Sequence, residues 1–303
     1  MLKLYYMKFK ESENNRMEKV VFMESRQQLS IDRVIRDHDY SMDTKHFHSE
    51  YELYYLIKGQ RYYFIENETY FVDEGSLVVI NKNQVHKTAI YENPYHDRIV
   101  LGFPESVIAK VASLSDFHIQ SFFQNFYGVI ALTKDLQKQV QYLLLSIYKE
   151  LKNKDSHSFF LVSMYLMEII LIADRIAHSN GPISRGIPVK SEKHNRVNQA
   201  ASYIKSNYDK KLSLDNIADS QYINKSYLSR IFKEVTGFTV NEYLHICRVT
   251  QAKKLLEESD DSVHTIAKKV GFETASYFER IFKKYTEMTP LKHRKKYRND
   301  TGY

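Results

Sequence analysis

Two fourteen-residue stretches, SYLSRIFKEVTGFT from Ser226 and SYFERIFKKYTEMT from Ser276, agree at eight positions and lie 50 residues apart. Read as helices, Leu228, Ile231, Phe232 and Val235 form one apolar stripe, repeated by Phe278, Ile281, Phe282 and Tyr285. The opposite faces carry Ser226, Ser229, Arg230 and Lys233, then Ser276, Glu279, Arg280 and Lys283. Short hydroxyls and cations on an exposed face suit a polyanionic partner. A second constellation, His46, His48 and Glu52, shares one parity, so an extended backbone points all three to one side. Imidazole and carboxylate there are hydrogen-bonding groups and competent donors to a divalent cation.

The chain around these groups is 303 residues long, enough for two domains, with 43% hydrophobic and 27% charged residues. Its net charge of +7 is unevenly placed. From Lys193 to Tyr303 there are 21 Lys and Arg against 13 Asp and Glu, while residues 1–192 hold 23 against 24. The basic character therefore belongs to the C-terminal third. One cysteine, Cys247, rules out an internal disulfide and fits a reducing compartment. No N-terminal signal peptide is recognisable. The greasiest run, Phe159 to Ala173, is too short for a bilayer and reads as a buried helix. A cytoplasmic protein without a membrane partner is expected.

Residues 30–103 read as strands, with Tyr51–Ile57, Arg61–Ile65, Thr69–Val72 and Leu77–Ile80 separated by short turns. Helical spacing follows at about 134–152 and 157–178. Breakers around Asn180-Gly181-Pro182 and Gly186-Ile187-Pro188 mark a boundary. The expected organisation is a tail at 1–24, a sheet-rich domain with following helices at 25–178 and a linker at 179–192. An all-helical domain at 193–298 and a short tail at 299–303 complete it. The fold class is α+β.

The repeat extends upstream, since Ile217-Ala218 parallels Ile266-Ala267. Each unit is a short helix, a turn and the polar-faced helix, with Asn224 and Thr274 where N-caps belong. The small alanines permit the close approach of a helix-turn-helix, which places its second helix in a major groove. Asn241 to Glu257 reads as one connecting helix, about 25 Å long at 1.5 Å per residue. Such a strut suits two reading helices about 34 Å apart, one duplex turn.

Ile217-Ala218, Tyr227 through Lys233, Thr236-Gly237, Arg248, Ala252 and Leu255-Leu256 resemble the AraC/XylS family of bacterial transcription regulators. Ile266-Ala267, Gly271-Phe272, Ser276-Tyr277-Phe278, Arg280 through Lys283 and Thr289-Pro290 continue the pattern. Glu287 departs from it, standing where the family has a helix-ending glycine, so that helix end is expected to differ. The resemblance implies base-edge contacts from Ser226, Ser229 and Arg230, then from Ala275, Ser276, Glu279 and Arg280, with Thr274 beside them. Arg can chelate guanine, Glu can accept from cytosine, and Ala can meet a thymine methyl. Lys225, Lys233 and Lys283 suit phosphates. It also implies double-stranded DNA as partner, RNA polymerase as a candidate second partner, and a homodimer joined through the helices at 134–152 and 157–178.

His46, His48 and Glu52, with Gly59 seven positions on, resemble the first cupin signature, and Gly75 and His86 parts of the second. Tyr40, Asn81, Asn83 and Ile90 depart from it. The implied fold is a cupin-like β-barrel whose His46, His48, Glu52 and His86 line an effector pocket. No metal or other cofactor is expected; those four residues are the ligands if a metal binds. The expected function is a non-enzymatic, effector-responsive transcription regulator. A metal-dependent cupin enzyme fused to a DNA-binding domain, and an architectural DNA-binder, are the alternatives.

Overall fold

The computed structural model describes residues 18–40, 47–153, 155–179, 187–189 and 191–299. Its N-terminal half builds two sheets. The six-stranded sheet runs in the order β1 (Glu18–Arg26), β2 (Leu29–Arg36), β8 (His96–Phe103), β3 (Tyr51–Gly59), β6 (Ser76–Ile80) and β9 (Gly128–Ala131). The four-stranded sheet runs β10 (Ile187–Pro188), β5 (Glu68–Val72), β4 (Arg61–Ile65) and β7 (His86–Ile90). Every strand pairing among the described residues is antiparallel. The expected sheet-rich domain is thus present, its strands shared between two sheets.

Alternation decides what each face of the large sheet meets. Leu53, Tyr55, Leu77, Val79, Ile99 and Leu101 pack against helices. Tyr54, Leu56, Val78 and Ile80 point the other way, onto Tyr63, Ile65, Tyr70 and Val72 of the small sheet. Gly59 ends β3 with φ +97, and a Cβ there would sit 2.4 Å from the Tyr95 carbonyl oxygen. That turn requires glycine on both counts.

Residues 18–24 are not tail. They form most of β1, where Phe22 is buried and stacks on Tyr148 at 4.1 Å. The expected tail hid this strand because its exposed positions mix charged Glu18 and Lys19 with apolar Val21 and Met23, leaving no clean alternation to read. Similarly, Ile187–Pro188 within the expected linker pairs with Tyr70 and Phe71 of β5.

Short helices α1 (Ala109–Ala112) and α2 (Ile119–Asn125) precede α3 (Lys134–Asn153) and α4 (Ser158–Ser179). Val140, Leu143, Leu144, Ile147 and Leu151 of α3 join Val162, Leu166, Ile169, Ile170 and Ala173 of α4 in one core against the large sheet. Among the described residues, no helix is long and apolar enough to cross a membrane.

The C-terminal region is helical: α5 (Glu192–Ser206), α6 (Leu214–Ser220), α7 (Lys225–Thr236), α8 (Val240–Glu258), α9 (Val263–Lys269), α10 (Ala275–Thr286) and α11 (Pro290–Asn299). Helix α8 serves two cores. Val240, Tyr243, Leu244 and Ile246 pack with α5, α6 and α7, whereas Val249, Ala252 and Leu256 pack with α9 and α10. Its buried positions therefore change along its length. With 19 residues it spans about 28 Å.

Candidate nucleic-acid interface and inter-sheet cluster

Each polar-faced helix is fixed by its own caps. Asn224 accepts from the Ser226 N–H at 2.8 Å, and Thr274 accepts from the Tyr277 N–H at 3.3 Å. Both α7 and α10 end in a left-handed residue, Gly237 at φ +81 and Glu287 at φ +59. The expectation of a different end for α10 is therefore corrected. The cap N–H bonds Lys233 in one helix and Lys283 in the other, so the motif persists despite the glutamate.

Packing the apolar stripes leaves the reading faces outward. Leu228, Ile231 and Phe232 are buried, as are Phe278, Ile281 and Phe282. Ser226, Arg230 and Lys233 are exposed and Ser229 half-exposed; Ser276, Glu279, Arg280 and Lys283 are exposed and Ala275 half-exposed. Lys225, Ser226, Ser229, Arg230 and Lys233 line one surface concavity with Leu214 and Glu234.

The two arginines have equivalent surroundings. The Arg230 guanidinium lies 5.5 Å from the centre of the Tyr227 ring, and that of Arg280 lies 5.0 Å from Tyr277. Neither has a carboxylate within salt-bridge distance among the described residues. Each is thus an exposed cation steered by an aromatic face and open to an anionic or base-edge acceptor. Lys225 differs, pairing with Asp215 at 2.9 Å.

Arg248 braces the units from behind. It donates to the Tyr208 and Lys210 carbonyls at 2.7 and 2.9 Å. Gly271, at φ +87, approaches the same segment so closely that a Cβ would meet two carbonyl oxygens at 2.7 Å.

Between the sheets, the structure unites three of the four sequence-predicted pocket residues; His46 lies outside the described residues. His48 Nε2 is 3.3 Å and His86 Nε2 3.6 Å from one oxygen of Glu52, while Tyr63 donates to the other at 3.0 Å. Nδ1 of His48 faces the Glu50 carbonyl at 3.1 Å, and Nδ1 of His86 faces that of Gln84 at 2.9 Å. Burial acts to raise the Glu52 carboxyl, but the two imidazoles outweigh it and hold the group well below the usual range. Burial likewise acts to lower His48, and Glu52 reverses it, leaving that imidazole more basic than usual. The donor atoms lie within 4.8 Å of one another, so the three could hold a divalent cation. They equally form a closed ion-pair and hydrogen-bond cluster with Tyr63.

Sequence reasoning missed a second polar group in the same inter-sheet space: Arg36, Arg61, Arg98, Tyr54 and His96. Its one available signal was parity, because Arg61 shares a strand face with Tyr63 and Ile65.

A family model described as an AraC-like ligand binding domain matches residues 30–170, and a helix-turn-helix domain model matches 217–296. The chain belongs to the AraC/XylS family. An uncharacterised helix-turn-helix transcriptional regulator of Escherichia coli, YijO, is 30% identical over 42% of this AraC-type chain and 45% of its own length. The melibiose operon regulatory protein of Escherichia coli is 33% identical over 33% of each. The chain thus spans under half the length of these relatives. Among solved structures, the C-terminal domain of AraT, a response regulator from Geobacillus stearothermophilus, is 30% identical. That similarity has a TM-score of 0.34 and covers 35% of this chain and 88% of AraT's domain.

Proposed function

We propose that this chain is a cytoplasmic, sequence-specific DNA-binding transcription regulator. Helices α7 and α10 enter successive major-groove segments of one duplex. The observation that carries this reading is the duplicated, outward-facing Arg-on-Tyr pair, Arg230 with Tyr227 and Arg280 with Tyr277. In this role Ser226, Ser229 and Arg230, and Ala275, Ser276, Glu279 and Arg280, meet base edges, flanked by Thr274. Lys225, Lys233 and Lys283 hold phosphates.

The sheet domain senses a small effector and supports a homodimer. Exposed Tyr142 and Leu145 on α3, and Phe160 and Met164 on α4, supply apolar area for a second copy. RNA polymerase is the further partner of such a regulator. The alternative enzyme would work at the His48–Glu52–His86 cluster, yet Tyr63 already occupies the second Glu52 oxygen. We therefore favour a non-enzymatic role. Selection of genomic fragments by the full chain, followed by footprinting, tests the proposal. Protection on two successive turns per subunit supports it, and protection on one turn or none refutes it.

A further inference from the structure

Arg61 is fully buried, and among the described residues its only hydrogen bond is one of 2.7 Å to the Tyr40 carbonyl. Its Nε and Nη1 have no partner among the described residues. Leaving a buried guanidinium against one neutral carbonyl is costly, because desolvation is repaid only by a counter-charge or a full set of acceptors. The groups around it are also incompletely satisfied. Tyr54 is buried with an unpartnered hydroxyl, and the buried Nε of Arg36 is unpartnered too. His96 is buried and pairs across the strands with Arg36. Burial and the charges of Arg61, Arg36 and Arg98 push its pKa down to about 3, so it adds no cation.

The local charges do not balance. Arg33 is matched by Asp97, Arg36 by Glu18 and Arg98 by Asp32. Among the described residues, Arg61 alone of these four has no acid, and it stands on β4 facing Tyr54 of β3 across the inter-sheet space. Tyr40 is its provisional partner: the carbonyl takes Arg61 while the ring lies 3.8 Å beneath the Arg36 guanidinium.

We infer that this arginine end of the inter-sheet space is an effector site for a small organic monocarboxylate, which pairs with Arg61 and accepts from the Tyr54 hydroxyl. A carboxylate presents two acceptors to a guanidinium fork and supplies the one missing negative charge. A phosphate dianion would overshoot the local balance. The site adjoins the His48–Glu52–His86 cluster, since Tyr54 packs edge-on against Tyr63 at 5.2 Å and Tyr63 donates to Glu52. The inference rests on the reading of the sheet domain as an effector sensor and gives that sensor a ligand class.

The test uses the full chain, its Arg61→Met and Tyr54→Phe variants, and calorimetric titration at millimolar concentrations. The probes are butyrate, octanoate, benzoate and pyruvate, with benzamide, glucose and inorganic phosphate as contrasts. At least one monocarboxylate should bind the wild type and lose roughly a hundredfold or more in affinity in Arg61→Met. Tyr54→Phe should weaken it less, and benzamide should not bind. Without ligand, Arg61→Met should melt no lower than the wild type, since an unmatched buried charge has been removed. Failure of every acid to bind, equal binding to Arg61→Met, or a marked loss of ligand-free stability in that variant overturns the site. Glucose altering DNA affinity equally in wild type and Arg61→Met would remove the acid site while leaving the sensor reading intact. DNA binding indifferent to every probe that binds would instead remove the sensor reading.

Discussion

The Tyr243 hydroxyl, midway through the first core of α8, donates a 2.6 Å hydrogen bond to the backbone carbonyl of Glu66 in the β4–β5 turn. Glu66 is held at φ +58, its N–H bonds the Val85 carbonyl, and its carboxylate pairs with Lys205 at 2.8 Å. Phe64 and Val85 enter the same core as α5, α6, α7 and α8. Lys87 reaches the Glu234 carbonyl at the end of α7 at 2.8 Å. The sheet domain therefore touches both the strut and the first reading helix. A ligand that binds between the sheets can bias the reading unit only through such contacts, and only if it binds two arrangements unequally.

Removing the Tyr243 hydroxyl tests this seam. Burial holds the phenol well above its usual pKa, so it remains a donor across the physiological range. Tyr243→Phe leaves a buried carbonyl unsatisfied and should lower stability by about 1–3 kcal/mol, read from the urea midpoint. Unchanged stability would mean that the seam is replaced by water.

The reading helices make a separate prediction. Arg230→Ala or Arg280→Ala should each cost roughly 1–3 kcal/mol against the selected site and relax preference at one base position. Lys233→Ala should instead weaken binding to all sequences alike and reduce the salt slope by about one. Competition binding with single-base variants, repeated across a salt series, separates the two. Arginine variants with intact discrimination would remove the base-reading assignment.

At the end of α10, Glu287 sits at φ +59 where its counterpart Gly237 pays no steric penalty. Glu287→Gly should stabilise the chain by roughly 0.5–1 kcal/mol, seen as a higher melting temperature. A lower melting temperature would show that the glutamate side chain makes a compensating contact.

The repeat was legible in the sequence because a helix face and its period are local properties. Leu228 through Val235 and their copies specify α7 and α10, including the caps at Asn224 and Thr274. Glu287 misled, since its local φ preference yielded to a motif fixed by packing. His48, Glu52 and His86 could be grouped from parity and resemblance, but their link to Tyr63 depends on sheet-to-sheet register. Arg61 and Arg98 lie on strands 37 residues apart, and no local pattern signals that such side chains share a buried space. Likewise, β1 showed no clean alternation, because Val21 and Met23 are exposed beside charged Glu18 and Lys19.

A final prediction concerns acid. His194 of α5 is 6% exposed, and its ring lies 4.7 Å from that of Tyr62 on β4. Burial, then the charge of neighbouring Lys193, push its pKa down to about 4, with Glu234 opposing. The unfolded chain therefore binds more protons than the native one between about pH 4 and 6.5, so this residue's contribution is complete above pH 6.5 and lost on acidification. A depression of that size is worth up to about 3 kcal/mol. His96, with its pKa near 3, acts in the same direction. Stability measured by denaturant titration should rise with pH across this window, and His194→Phe should flatten the rise. If the slope is unchanged in that variant, His194 is protonated as readily in the native protein as in the unfolded chain, and α5 does not hold it dry against Tyr62.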